Sequence, residues 1–334
     1  MSRPPLQQWP TLSSLPIRPL SGGLINETFS VGDPPQAVLQ RLHPVFPGRV
    51  CVDIDAVTRH LDAQSFVTPK LIPTVDGALW VDTDEGPWRA LTWVPGETVD
   101  QVQGPAQAAQ AGALVARWHK ALAGLEHDFV FSRPLAHHTP HHMEVLELAL
   151  LEHPAHRLAS KVRPLADAVL QAWGQWAGDL NEPTQFAHGD LKISNLRFTA
   201  AGEGLCLLDL DTMGQLPLSM ELGDAWRSWC NTATEDAPQA RFDLSLFHAS
   251  AQGYLGERPL SPWQRELLPL GVQRICLELS ARFLADALNE SYFGWDPNKA
   301  PTRGAHNLIR GAGQLSLAQS VQAQLPKMAA ALRA

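Results

Sequence analysis

His188-Gly189-Asp190-Leu191-Lys192-Ile193-Ser194-Asn195 runs straight into Leu196-Arg197-Phe198. After a polar turn over 199–204 the chain reads Leu205-Cys206-Leu207-Leu208-Asp209-Leu210-Asp211. Two short apolar runs about a glycine-containing turn predict a β-hairpin. Such pairing sets the start of one strand beside the end of the other, so Asn195 and Asp209 are expected to be neighbours. Asp190, on the loop just before, is expected to share their pocket. Phosphoryl transfer needs this set of groups: one carboxylate to orient a hydroxyl and receive its proton, and a second carboxylate with an amide oxygen to hold the cations that bridge nucleotide phosphates. Lys192, two residues past Asp190, is placed to neutralise charge on a moving phosphoryl group. Asp, Asn and Gly also favour ordinary turns. Against a plain turn stand the full spacing and the second acidic cluster.

Upstream of this segment the first hundred residues punctuate like strands and turns. Ile17 to Leu20, Thr28 to Val31, Ala37 to Leu42, Ala78 to Asp82 and Trp88 to Val94 are short runs separated by Gly, Pro and Asp. Val50, Ile54, Val57 and Leu61 fall at helical spacing, which predicts one amphipathic helix after the third strand. Pro95-Gly96 is a natural boundary. Residues 1–95 are therefore expected to form a five-stranded antiparallel lobe with one helix. Residues 96–334 read as mainly helical, with Leu114, Trp118 and Leu122 on one stripe, and Leu165, Val169, Trp173 and Trp176 on another. A third helix is expected over Gly271 to Asn289, carrying Ile275, Leu279 and Phe283. These stripes read as packing surfaces.

The chain has 334 residues, 45% hydrophobic and 18% charged, with a formal charge of −8. That balance argues against a nucleic-acid surface or a basic membrane anchor, and no apolar run has the length a bilayer needs. The four cysteines, Cys51, Cys206, Cys230 and Cys276, are scattered, without a CxxC pair. With no secretory h-region at the N-terminus, they read as reduced thiols of a cytoplasmic protein. The sequence does not speak to oligomeric state.

HGDLKISN followed by LLDLD resembles the HGDxxxxN and second-Asp motifs of the aminoglycoside/choline phosphotransferase superfamily. It is also similar to the HRDLKxxN…DFG pattern of protein kinases, with Gly in place of Arg. The resemblance implies a bilobal, protein-kinase-like α+β fold with ATP in the cleft between the lobes. It implies Asp190 as base, with Lys192 beside it, and Asn195 and Asp209 as Mg2+ ligands. Asp211 is a weaker metal candidate, because residues two apart share one side of a strand. The expected partner is a small-molecule hydroxyl acceptor, with neither nucleic acid nor membrane involved.

On the nucleotide side, the stretch 20–31 resembles the glycine-containing phosphate loop of that superfamily. Gly22 and Gly23 would let backbone N–H groups approach phosphate oxygens, with Asn26 close behind. The third strand, Ala37-Val38-Leu39-Gln40-Arg41-Leu42, departs from the kinase pattern: where a Lys or Arg is usual, Gln40 stands, with Arg41 next to it. Asp53 or Asp55 would be the helix partner of such a cation. Residues 87–96 resemble a hinge in which Thr92 to Val94 offer backbone groups to adenine. Within the superfamily, LINETFSV, VLQRLHPVF, VTRHL, LLDLDTM, LGDAWR and ELSARFLADALNESYF are similar, in order, to segments of the N-acetylhexosamine 1-kinase-like branch. That branch implies a sugar or amino sugar phosphorylated at its anomeric hydroxyl. A choline- or aminoglycoside-type kinase is the alternative, and a pseudokinase is the reading from another class, which only Gln40 favours.

Two further clusters stand out. His137, His138, His141 and His142 surround Thr139-Pro140; the proline and the missing acidic partners argue for a loop leading into a helix rather than a metal site. Asp224 and Arg227 either pair with each other or brace the segment around Asp190.

Overall fold

The computed structural model describes residues 4–20, 26–133 and 135–333. The chain runs through β1 (Ile17–Pro19), β2 (Glu27–Val31), β3 (Ala37–Arg41), α1 (Val50–Ala63), β4 (Leu71–Ile72), β5 (Val81–Thr83) and β6 (Gly86–Thr92). It continues through α2 (Pro105–Ala121), α3 (Thr139–Glu152), α4 (Ala159–Gly174), β7 (Thr184–Ala187), β8 (Leu196–Phe198), β9 (Gly204–Leu207) and β10 (Gly214–Pro217). It closes with α5 (Leu218–Trp229), α6 (Leu244–Glu257), α7 (Pro262–Asn289), α8 (Arg303–Gln322) and α9 (Leu325–Arg333). Two compact units result. The first takes residues 1–98, 117–132 and 195–214; the second takes 99–116, 133–194 and 215–334. The fold is α+β and protein-kinase-like.

In the first unit an antiparallel sheet runs in the order β1-β2-β3-β6-β4, with β5 also on β6. Alternation places Phe29, Val31, Leu39, Trp88 and Ala90 on a core shared with Trp9 and Leu12, and Phe29 stacks on Trp88 with ring centroids 6.0 Å apart. The sheet described has six strands, not the five expected. The extra one, β4, is two residues long and lies between Pro69 and Pro73, so it carries no readable period. Helix α1 buries Val50, Ile54, Val57 and Leu61, the face the spacing indicated. The hairpin expected after Asn195 is β8 and β9. Gly96, at φ 131°, lies against it so closely that a Cβ would stand 2.5 Å from the Phe198 carbonyl oxygen.

The second unit is a helical assembly about α7. That helix begins at Pro262, upstream of the expected Gly271, under a capping box of Ser261 and Gln264. Pro269 inside it hid the first turns from a sequence reading. Helix α4 ends at Gly174, so Trp176 lies beyond it, stacked on Trp173 at 5.1 Å and donating to the Leu270 carbonyl. Helix α5 crosses α7 in near backbone contact: a Cβ on Gly271 would come within 2.0 Å of the Ser219 carbonyl oxygen. This crossing buries α5 almost throughout, and α5 carries the side chains that hold the Asp190 loop. Among the described residues no helix is long and apolar enough to cross a membrane.

Candidate active site

In the second unit, the loop from His188 to Ile193 is held by one helix. The Glu221 carboxylate accepts from the backbone N–H groups of His188 at 2.7 Å and Gly189 at 3.0 Å. Trp229 Nε1 donates to the Leu191 carbonyl at 2.7 Å, and Ser228 Oγ accepts from Ile193 N–H at 3.3 Å. Positions 221, 228 and 229 share a face of α5, so a single rigid element fixes the loop at both ends. Gly189 sits at φ 78°, a conformation that glycine adopts without steric cost, and it turns the chain into Asp190. Asp190 keeps 26% of its side chain exposed, and its Oδ2 receives Lys192 Nζ at 2.7 Å. Burial pushes this carboxyl up, yet the Lys192 ammonium, with the charges of His188 and Arg227, holds it below the usual aspartate value. Sequence reasoning set Lys192 toward the transferred phosphoryl group, and the structure places its ammonium on Asp190.

The rest of the set lies in the first unit. The Leu208 N–H donates to the Asn195 carbonyl at 2.8 Å, closing the hairpin and setting Asn195 beside the strand that leads to Asp209. Asp209 is in the left-handed region, at φ 59° and ψ 61°. A non-glycine residue pays for that conformation, and such strain recurs at functional sites. The left-handed turn passes into a short 3-10 turn, Leu210–Thr212. Asp209 and Asp211 therefore do not share one side of a strand, as the sequence suggested. Asp209 remains half-buried, whereas Asp211 is engulfed.

Asp211 is committed to the protein. Its two carboxylate oxygens take the two terminal nitrogens of Arg89, with Nη2 to Oδ2 at 3.0 Å, and Oδ2 also takes the Asn26 amide at 2.8 Å. Both partners of the ion pair are essentially solvent-free, at 2% and 0% side-chain exposure. Burial pulls the Arg89 guanidinium down, but the facing Asp211 more than reverses this and keeps it charged. Arg89 also donates to Gln40 Oε1 from Nε at 3.0 Å and from Nη2 at 2.7 Å, while Gln40 Nε2 donates to the Thr28 hydroxyl at 3.2 Å. The strand register aligns Thr28, Gln40 and Arg89 in one row across β2, β3 and β6.

On the third strand the structure engages both Gln40 and Arg41 within the protein. Among the described residues the buried cation of this sheet is Arg89, one strand over, and Gln40 fills its hydrogen bonds within the row rather than presenting an open amide. Arg41 points away, to Glu27 and the Glu85 carbonyl. Neither helix acid serves as counter-ion: Asp55 pairs with Arg59, and Asp53 accepts from His127, Val130 N–H and Phe131 N–H. Arg89 was missed, although one signal was available: an arginine amid the apolar run Trp88 to Trp93.

Asn26 is likewise engaged, donating to Asp211 and accepting from the His43 N–H at 2.9 Å. Gly22 and Gly23 lie outside the described residues. At the hinge segment, the Thr92 N–H is taken by the Lys70 carbonyl and the Trp93 N–H by the Gln36 carbonyl. The Val94 N–H has no hydrogen bond to another backbone carbonyl among the described residues. Arg227 donates to Asp224 from Nε at 2.9 Å, so the two pair within α5, and the Arg227 charge also reaches Asp190. In the histidine cluster, Pro140 does not delay the helix: α3 starts at Thr139, with His138 Nδ1 capping the His141 N–H.

This structure is similar to that of an aminoglycoside phosphotransferase from Alicyclobacillus acidocaldarius subsp. acidocaldarius DSM 446, with a TM-score of 0.63, 16% identity and 98% of each chain covered. It is similar to a microcompartment-associated aminopropanol kinase, with a TM-score of 0.62 and 18% identity over 96% of this chain and 97% of that one. An amicoumacin kinase in complex with AMP-PNP, Ca2+ and Ami gives a TM-score of 0.60 at 13% identity, over 88% of this chain and 87% of that one. At these identities the likenesses speak for the fold. The activity class comes from the sequence itself: residues 16–260 match the model of the phosphotransferase enzyme family, APH. The chain belongs to that family, and is a small-molecule kinase, a phosphotransferase with an alcohol group as acceptor.

Proposed function

We propose that the chain uses ATP and Mg2+ to phosphorylate the anomeric hydroxyl of a sugar or amino sugar, as the N-acetylhexosamine 1-kinase-like branch implies. In this reading Asp190 orients the acceptor hydroxyl and receives its proton, and Lys192 balances charge on the transferred group. Asn195 and Asp209 would hold Mg2+. An amide oxygen and a carboxylate are hard donors that suit this ion, which takes its remaining ligands from phosphate and water. Bound there, the ion would neutralise charge on the phosphates during transfer. Asp211 is left out of that set because Arg89 and Asn26 use its oxygens. The Val94 N–H would serve the adenine edge.

The observation that carries the acceptor class is charge matching around the Asp190 loop. Glu221 is used by two backbone N–H groups, Asp224 by Arg227, and Glu278 on α7 by His137 and Thr139. A cationic acceptor calls for negative charge that the chain does not already balance, and here Asp224 faces Arg227 while Glu278 faces His137. A neutral, polyhydroxylated acceptor asks for none. The depressed basicity of Asp190 points the same way, because an anomeric hydroxyl is more acidic than an ordinary alcohol. A weak base that takes the proton late in a loose transition state then suffices.

The test is ATP consumption across a panel of hexoses, N-acetylhexosamines, choline, ethanolamine and an aminoglycoside. Phosphorus NMR of the product would show coupling to the anomeric proton. Turnover confined to the cationic acceptors would defeat the sugar reading while leaving the kinase activity in place.

A further inference from the structure

We propose that His137 is an imidazolium that positions the Asp190 loop by bridging the Gly189 carbonyl to Glu278. The proposal rests on the reading that Asp190 orients the acceptor hydroxyl. His137 lies just ahead of α3, with its two ring nitrogens facing different acceptors. Nδ1 is 3.1 Å from Glu278 Oε1, and Nε2 is 3.5 Å from the Gly189 carbonyl oxygen. A carbonyl only accepts, so this long contact is a hydrogen bond when Nε2 carries hydrogen. Nδ1 must carry one too, unless the shared proton resides on Glu278.

The surroundings decide where that proton sits. Arg274 Nε donates to the Thr139 hydroxyl at 2.8 Å, which sends the single hydroxyl hydrogen of Thr139 to Glu278 Oε2 at 2.6 Å. Glu278 Oε2 is thus an acceptor, which leaves Oε1 to face the His137 ring. The charged and titratable groups about the pair are Arg274, Arg282 and Glu278 itself on α7, Asp224 on α5 with its partner Arg227, and His142 on α3. Burial opposes charge on His137, but the Glu278 hydrogen bond and charge, aided by Asp224, raise it above its ordinary value against the effect of Arg282. For Glu278, burial is outweighed by His137 and Thr139, and the carboxyl is lowered. Both directions favour the ion pair over the neutral pair.

The consequence for the loop lies in which peptide groups are held. Glu221 holds the N–H on one side of Gly189, and His137 holds the carbonyl on the other. Gly189 is the pivot into Asp190, so two successive peptide planes are pinned about the residue that could otherwise swing it. A neutral imidazole has one N–H for two acceptors. The bond to a buried carboxylate is the stronger, so deprotonation releases the Gly189 carbonyl. His137 is in this sense a positioning residue, and its proton makes the loop pH-sensitive on the alkaline side.

The experiment uses the full chain, 15N-labelled, with His137→Gln to assign the histidine resonance. A ring with both nitrogens protonated, persisting above the ordinary histidine value of about 6.5, is expected. In parallel, kcat for ATP turnover is followed from pH 6 to pH 10 with N-acetylhexosamine as the acceptor probe, and by slow ATP hydrolysis if that probe is not used. His137→Gln should lower kcat by roughly ten- to a hundredfold, leave the ATP KM within about twofold, and remove the alkaline fall. Glu278→Gln should move that fall to lower pH, and it provides the second variant should His137→Gln not fold. A neutral His137 ring at pH 7, or an unchanged alkaline limb in both variants, would overturn the proposal. Full activity in Asp190→Asn would instead sink the reading of Asp190, while the NMR result on His137 stood.

Discussion

Replacing Arg89 with Met offers a direct test of how the first unit is held together. The substitution keeps an aliphatic stem in the sheet but strands Asp211, whose buried carboxylate would then have, among the described residues, only the Asn26 amide. Breaking a buried ion pair from one side costs about 3–5 kcal/mol, because an uncompensated charge stays behind. Gln40 Oε1 also loses both donors, which adds about 1–3 kcal/mol for an acceptor left without a partner. Against a total stability of roughly 5–15 kcal/mol the expected loss is large. Adding Asp211→Asn should recover most of it, because the pair is then absent rather than broken. The measurement is a urea double-mutant cycle over parent, both single variants and the double variant, read at unchanged m-value. If Arg89→Met fell within about 1 kcal/mol of the parent, or the double variant were no better than the Arg89 single, the buried-pair reasoning would be refuted.

Other outcomes follow from the remaining geometry. Asp190→Asn should lower kcat by roughly 10²–10⁴-fold with little change in the ATP KM, measured by a coupled ADP-release assay. Because Lys192 holds the Asp190 carboxyl below its ordinary value, Asp190 stays ionised into acid, and the acid limb of kcat/KM should lie below the usual aspartate pKa. Lys192→Met leaves burial less opposed and should move that limb upward; a limb that stayed in place would contradict the assignment. Asp209→Ala should abolish Mg2+-supported turnover, whereas Asp211→Ala should act chiefly on stability; the reverse order would mean that the metal carboxylate is misassigned. Glu221→Gln offers an N–H to one of two buried N–H donors, so it should cost roughly 2–4 kcal/mol and loosen the Asp190 loop, with a drop in kcat. Wild-type melting and kinetics would count against that bracing role. Gln40→Ala should shift the denaturation midpoint more than the ATP KM, since its amide is used by Arg89 and Thr28.

Much of the arrangement could be read from the chain because it rests on local rules. The hairpin after Asn195 follows from two apolar runs and a turn, and the α1 face follows from four residues at helical spacing. Asp190 and Lys192 sit two apart on one loop, so their nearness needed no tertiary knowledge, although the ion pair between them was not expected. Register was not legible. Nothing in the sequence says that Gln40 lies opposite Arg89, because that depends on which strand is inserted beside β3, and the chain runs through α1, β4 and β5 before β6 returns. The same holds for Glu221 and His137, which reach the Asp190 loop from far along the chain. Their positions carry no motif, only an acid inside a buried helix and a histidine before a cap.

The Gln40–Arg89 exchange changes what the first unit can do. In the kinase pattern a strand cation answers an acid on the following helix, so helix and sheet are joined through one ion pair. Here that link is divided between two separate anchors. Asp53 on α1 is tied to His127 and to the backbone at Val130 and Phe131, and Arg89 on β6 is tied to Asp211, two residues beyond Asp209. The buried charge of the sheet therefore bears on the placement of Asp209, while toward α1 it meets the Cys51 thiol rather than an acid. Because Arg89 gives hydrogen bonds to both Gln40 and Asp211, the Gln at the usual cation position is a structural partner of that brace. It is not the mark of a chain that has lost its chemistry. Gln40, the single feature that had favoured a non-catalytic reading, thereby becomes part of what fixes the Asp209 turn.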